Sequence, residues 1–157
     1  MKKKALCAAL FLTFPCFAFG SFGLGAQSSV WCASSPYFGV SLLTSPLKQL
    51  HLALDYSSDA SPPYNRRLGI YGDYWIFRPK IADWGVNYGR MFLFTGAGIF
   101  INITEKTSGG IRFPFGVQYE IKRMDFFINA APSAVLAGEE KNGWFALYIS
   151  AGLRYWF

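Results

Sequence analysis

Trp144-Phe145-Ala146-Leu147-Tyr148-Ile149-Ser150-Ala151-Gly152-Leu153-Arg154-Tyr155-Trp156-Phe157 closes the chain, and its alternation decides the fold. Every second residue back from the C-terminus (Phe157, Tyr155, Leu153, Ala151, Ile149, Leu147, Phe145) is free of charge and of side-chain amide. The intervening set, Trp156, Arg154, Gly152, Ser150, Tyr148, Ala146 and Trp144, carries an arginine and small residues. A period of two is that of a β-strand, whose successive side chains leave on opposite faces. The apolar face runs past the roughly 9–11 residues that a tilted strand needs to cross a bilayer. Strands of soluble proteins seldom reach that length. Strands of a membrane-spanning barrel do, with apolar side chains toward lipid and polar ones toward the lumen.

The N-terminus agrees with export. Lys2, Lys3 and Lys4 precede an uncharged run from Ala5 to Phe19, and Ala18-Phe19-Gly20 places small residues at −3 and −1 of a cleavage site. This predicts a signal peptide over 1–20 and a barrel over 21–157. The run is short against the ~20 residues of an anchor helix. Pro15 before Cys16 and Trp31 before Cys32 stand where a lipoprotein signal wants a small residue. Without the three lysines the formal charge of +6 falls to +3, 12 basic against 9 acidic residues, so most of the basic balance serves export and no nucleic-acid partner is expected. Cys7 and Cys16 leave with the signal, and Cys32 alone cannot build a disulfide framework.

Counting back from the C-terminus gives further alternating segments. Asp125–Leu136 contains Pro132, which has no N–H for the ladder and so marks a bulge or a strand top. Lys122-Arg123 forms a tight turn. Ile111–Lys122 sets Ile111, Phe113, Phe115, Val117, Tyr119 and Ile121 against Arg112, Pro114, Gly116, Gln118, Glu120 and Lys122. A charge facing lipid at depth costs several kcal/mol, so the second face is the lumen. Phe92–Ile103 is apolar on both faces, and Gly96 and Gly98 are assigned inward, where a narrow barrel needs room. Arg67–Phe77 directs Asp73, Trp75 and Phe77 inward. Leu50–Tyr56 directs His51 and Asp55 inward. Phe38–Leu42 and Ser21–Ser29 complete eight antiparallel strands in an all-β, up-and-down transmembrane barrel. An even number puts both termini on one side, the periplasm. Outer loops then fall at Val30–Tyr37, Ser58–Arg66, Thr104–Gly110 and Gly138–Gly143, with Trp31, Tyr64, Arg66, Lys106 and Lys141 as surface-loop candidates. The stretch Arg78–Arg90 is long for a periplasmic turn.

Several segments resemble known barrels. The architecture is similar to the OmpA/OmpX/OmpW class of small outer-membrane barrels. A family of small spirochaetal outer-membrane barrels of uncharacterised function is resembled by Phe22-Gly23-Leu24-Gly25, Asp73-Tyr74-Trp75, Thr95-Gly96-Ala97-Gly98-Ile99, Ile111-Arg112-Phe113-Pro114-Phe115-Gly116, Ala131-Pro132-Ser133 and Gly152-Leu153-Arg154-Tyr155-Trp156-Phe157. The resemblance implies an eight-stranded barrel and no particular activity. The terminal aromatic resembles the signature read by the barrel assembly machinery, which makes Phe157 and Tyr155 the assembly-signal candidates.

Chemistry is sparse. His51 is the single histidine, and one histidine with Cys32 cannot make a nitrogen/sulfur metal site. No serine is marked out as a nucleophile, and no following helix makes Gly96 and Gly98 a phosphate loop. No cofactor is expected, and no enzyme. Asp55, Asp73, Arg112, Glu120, Arg154 and His51 point into a lumen only wide enough for side chains. They are expected to form one charge network, with Arg112, Glu120 and Arg154 meeting around Asp73. The expected function is a closed structural or interaction scaffold in the outer membrane of a diderm bacterium. Its partners would be outer-membrane lipid, the assembly machinery and an extracellular host or envelope ligand at the loops. The alternative is a narrow channel for small solutes or ions, and a third reading is a lipid-modifying enzyme.

Overall fold

Alternation of apolar and polar residues becomes ten hydrogen-bonded segments in the computed structural model, which describes residues 21–31, 36–44, 49–58, 66–85, 87–104, 107–138 and 145–157. The signal region 1–20, Cys32, Tyr64, Lys106 and Lys141 lie outside them, as does the side chain of Arg66. The segments are β1 (Phe22–Trp31), β2 (Tyr37–Thr44), β3 (Leu50–Ser58), β4 (Arg66–Phe77), β5 (Lys80–Asp83), β6 (Arg90–Ile103), β7 (Ser108–Arg112), β8 (Phe115–Ile121), β9 (Met124–Gly138) and β10 (Phe145–Trp156). β4 with β5 and β7 with β8 are single staves, each interrupted at a dipeptide ending in proline, Arg78-Pro79 and Phe113-Pro114. Hydrogen bonds run through both breaks, from Leu93 N–H to the Pro79 carbonyl (3.1 Å) and from Gly96 N–H to the Pro114 carbonyl (2.9 Å). Eight antiparallel staves result, and pairing of β1 with β10 closes them into a barrel.

The staves meet the sequence register with a few informative departures. Gly96 and Gly98 stand inward with Phe94, Phe100 and Asn102, while Ile99 and Ile101 face out. Phe77 was expected inside and is instead 62% exposed. An extra residue enters β4 between Tyr74 and Phe77, so Trp75 stays in the lumen while Ile76 and Phe77 both face out. The long stretch Arg78–Arg90 is not a turn: β5 continues β4 along β6, leaving only residues 84–89 to connect them. Pro132 neither bulges nor ends β9; the irregularity against β7 lies at Gly109/Gly110. A strand residue's N–H and C=O point to the same neighbour. The Pro132 carbonyl accepts from Phe113 N–H at 2.9 Å, so its missing donor faces the place where β7 and β8 are interrupted.

Outside, Leu24, Val40, Leu54, Ile70, Ile99, Phe115, Ile128, Ile149 and Leu153 form an exposed apolar surface. Among the described side chains, the exposed charges are Lys80, Asp83, Arg90, Lys122 and Arg123, all on two hairpins at the end that holds the termini. Inside lie two aromatic clusters. One, of Leu43, Trp75, Phe94, Phe127 and Trp156, plugs the terminal end; the other, of Trp31, Tyr37, Tyr71, Phe100 and Tyr148 with three alanines, plugs the distal end. Charged side chains occupy the space between.

Candidate functional site

Two of the lumen's buried carboxylates meet a guanidinium. Arg112 Nε stands 3.0 Å from Asp73 Oδ1, an ion pair whose N–H is not aimed for a hydrogen bond. Arg154 Nε donates to Asp125 Oδ1 at 2.8 Å, and Asp125 Oδ2 accepts from Gln118 Nε2 (2.9 Å) and Trp156 Nε1 (2.8 Å). The guanidiniums also lie over rings, Arg112 over Tyr71 (4.4 Å) and Tyr148 (5.0 Å), Arg154 over Phe127 (4.2 Å) and Trp75 (5.4 Å). Each arginine thus ties one carboxylate to one aromatic cluster.

The expected single network of Arg112, Glu120 and Arg154 around Asp73 does not occur. Glu120 lies at the terminal mouth and accepts from Arg78 Nη2 at 2.5 Å, with both side chains partly exposed. Arg154 takes Asp125, which stands on the inward register of β9 and could have been named from the alternation that gave Phe126 and Ile128 outward. Adjacent-strand partners win because β9 is the direct neighbour of β10, and Arg154 is paired in register with Asp125. Asp73 and Arg112 are two strands apart, and the strand between them carries Gly98 at that level. A Cβ at Gly98 would sit 2.2 Å from Asp73 Oδ1, so only glycine lets the ion pair cross. Gly39 plays the same part between Gln27 and Asp55.

His51 links the two ion pairs. Its Nε2 lies 2.9 Å from Ser41 Oγ and its Nδ1 3.3 Å from Asp73 Oδ2, while Arg154 Nη1 reaches Ser41 Oγ at 3.5 Å. Ser41, His51 and Asp73 therefore have the order of a nucleophile, base and acid. All three are at most 1% exposed, with the His51 ring against Trp75 and Phe127. Sequence reasoning missed Ser41, whose only signal was its inward position on β2.

Asp55 is different in kind. Its carboxylate accepts from Gln27 Nε2 (2.7 Å), Tyr148 OH (2.8 Å), Ser29 Oγ and Tyr71 OH. No basic side chain pairs with it among the described residues. Of the surface candidates, Trp31 requires correction. It is 4% exposed because β1 runs on past Ser29 and carries it inward, onto Phe100 (5.2 Å) and Tyr148 (5.4 Å). Tyr155 and Phe157 face outward, their rings 5.1 Å apart, and Phe157 stacks on Phe22 at 5.2 Å. No group of three or more histidine, cysteine, aspartate or glutamate side chains placed to hold a metal ion occurs among the described residues.

No family model matches this sequence, and no curated protein does. Solved structures do resemble the fold. The N-terminal β-barrel domain of Pseudomonas aeruginosa OprF aligns at TM-score 0.52 and 14% identity, over 87% of this chain and 97% of that one. Ail, the attachment invasion locus protein of Yersinia pestis, solved with the heparin analogue sucrose octasulfate, aligns at TM-score 0.46 and 11% identity, over 87% and 97%. The OprF likeness is one of fold, an eight-stranded antiparallel barrel.

Proposed function

We propose that this protein is an integral outer-membrane barrel whose lumen is closed to solutes, so that it acts as a scaffold through its ends and not through its interior. One observation carries the reading: the polarity of the barrel is inverted, with exposed apolar side chains outside and buried polar ones inside. An outer surface so constituted is matched to hydrocarbon and not to water. Closure is supported by the filling of the lumen, where Trp75, Arg112, Arg154, Tyr148 and Phe100 are all less than 2% exposed. The proposal includes a signal peptide over 1–20, periplasmic termini and kinship with the small spirochaetal barrels. Periplasmic placement of the terminal end is favoured by the two-residue turn at Lys122-Arg123, short as periplasmic turns are.

The Ser41–His51–Asp73 relay is read as structural. A nucleophile must reach its substrate, and Ser41 has no exposed surface while its acid is shared with Arg112. A partner at the cell surface would be met by the distal loops, and the assembly machinery by Tyr155 and Phe157. Conductance of the purified protein in a planar bilayer tests closure. The expected trace is flat; steady unitary currents would replace the scaffold with a channel. A fluorophosphonate probe should leave Ser41 unlabelled, and labelling that depends on His51 would make the relay catalytic.

A further inference from the structure

We propose that the outer wall over β6, β8 and β9 is a site for one anionic glycerophospholipid, with an acyl chain in a groove of the wall and the phosphate on the Lys122-Arg123 turn. The inference rests on the outer-membrane reading above and assigns one lipid position within it. The groove comes from the register. Across neighbouring staves at one level stand Phe77, Thr95, Phe115, Ala130 and Ile149, long and short side chains in alternation. The extra residue in β4 that turns Phe77 outward supplies one wall. The hollow measures about 550 Å³ and is lined almost wholly by carbon, with Leu93, Val117 and Ile128 toward the terminal end. Its size is that of a small-ligand cleft, roughly 300–1,000 Å³. In a wall that faces hydrocarbon, a flexible alkyl chain fills such a hollow and recovers the dispersion contacts that a void would forfeit.

Charge selects the headgroup. On the two hairpins of the terminal end, Lys80, Arg90, Lys122 and Arg123 are exposed against Asp83 alone among the described side chains. Lys80 and Arg90 both reach Asp83, at 2.6 and 3.5 Å. Lys122 and Arg123 form the neighbouring turn, and Arg123 Nη1 donates to Tyr155 OH at 3.4 Å, which holds the guanidinium against the outer wall. Among the described residues, Lys122 is the one non-glycine with a positive φ (53°). Glycine or asparagine would sit there without strain. The turn thus keeps a cation at a conformational cost, and such strain points to function. Ammonium and guanidinium groups side by side suit a phosphate. Depth matches as well. Val117 and Ile128 lie five residues along their strands from Lys122 and Arg123 respectively. At about 3.3 Å per residue and a tilt of about 40°, that is roughly 12 Å of depth. One leaflet's hydrocarbon, half of the core, is ~15 Å deep. A chain whose phosphate meets the turn therefore runs through the groove.

The test is native mass spectrometry of the full protein, purified and delipidated in non-ionic detergent and titrated with dioleoyl phosphatidylglycerol or dioleoyl phosphatidylcholine. One phosphatidylglycerol should bind with a midpoint on the order of tenfold below that of phosphatidylcholine, whose net charge is zero. Lys122→Asn with Arg123→Gln should bring the two midpoints together. Asparagine suits the positive φ, so this variant should fold, as circular dichroism would show. Ala130→Phe fills the groove from the lipid-facing side and should weaken both lipids alike, with their ratio kept. Equal midpoints in the unaltered protein overturn the proposal, as does a preference that survives the double variant or binding untouched by Ala130→Phe. A dimer that forms without lipid and is lost in Ala130→Phe gives the groove to a second copy, which also overturns it. A protein that stays dispersed once detergent is removed would break the membrane reading itself; one that needs detergent and shows equal midpoints breaks the lipid site alone.

Discussion

At Asp73 and Asp125 a guanidinium stands 3.0 and 2.8 Å from the carboxylate, whereas at Asp55, nearer the distal end, the partners are an amide, a serine and two tyrosines. Opposite charges fix two side chains to each other whatever surrounds them, and they are equally costly to separate. Neutral donors share the load among several weaker bonds. The two regions should therefore respond differently to loss of one partner.

Arg154→Ala should have the largest effect, about 3–5 kcal/mol in urea unfolding of the purified barrel, because it leaves Asp125 buried without its cation. Replacing both by apolar residues of similar volume should cost less than the single change; if it does not, the pair is not the unit. Gly98→Val tests the crossing from the other side. Its Cβ would meet Asp73 Oδ1 at 2.2 Å and the Gly72 carbonyl oxygen at 2.5 Å, so a loss of at least about 1–3 kcal/mol is expected from overpacking against β4 together with a weakened ion pair. Gly72→Val, whose Cβ meets only the Leu52 side chain at 3.2 Å, should be milder. Tyr148→Phe at the neutral-donor site should cost about 1–2 kcal/mol, the price of one shared hydrogen bond, since Ser29, Tyr71 and Gln27 remain. A loss equal to that of Arg154→Ala would erase the distinction between the regions.

The smallest effect belongs outside the lumen. Asp83, on the β5–β6 hairpin at the mouth of the barrel, is held below the usual carboxylate range first by the hydrogen bond from Lys80 and then by the Gly85 N–H. A lowered folded value means its contribution is present at neutral pH and is lost as pH falls through that value. Asp83→Asn should flatten this acid limb by lowering neutral melting slightly, with the two proteins converging at low pH.

Much of the fold was legible because a barrel wall has only two faces. Once Arg112 and Glu120 were denied to lipid, every residue of their stave was placed, and the same reasoning carried from stave to stave. Two things were hidden. The extra residue at Tyr74–Phe77 lies in a segment apolar in both registers, so alternation could not register the slip that turned Phe77 outward. Partner choice was hidden too. Alternation says which charges point inward and nothing of their height or of the strand that intervenes, so it groups Glu120 with Arg112 and Arg154 around Asp73, where the structure gives Glu120 to Arg78 and Asp125 to Arg154. The Asp55 cluster was invisible for another reason: serines, tyrosines and glutamine carry no charge to force a pairing.

The seam between β1 and β10 sets an order of events. Gly23 to Trp31 pairs with Tyr148 to Trp156, partners separated by well over a hundred residues, while the other staves pair with chain neighbours through short connections. Each hairpin can zip as soon as its two strands exist. The seam must wait for the last strand and then bring the two ends of the sheet together against the entropy of the whole loop. Until that moment the sheet has two open edges, each a row of unpaired backbone groups able to recruit a strand from another molecule. Closure is thus the slow, vulnerable step of biogenesis, and the span from Tyr148 to Trp156 is the edge that a folding helper would have to shield until β1 arrives.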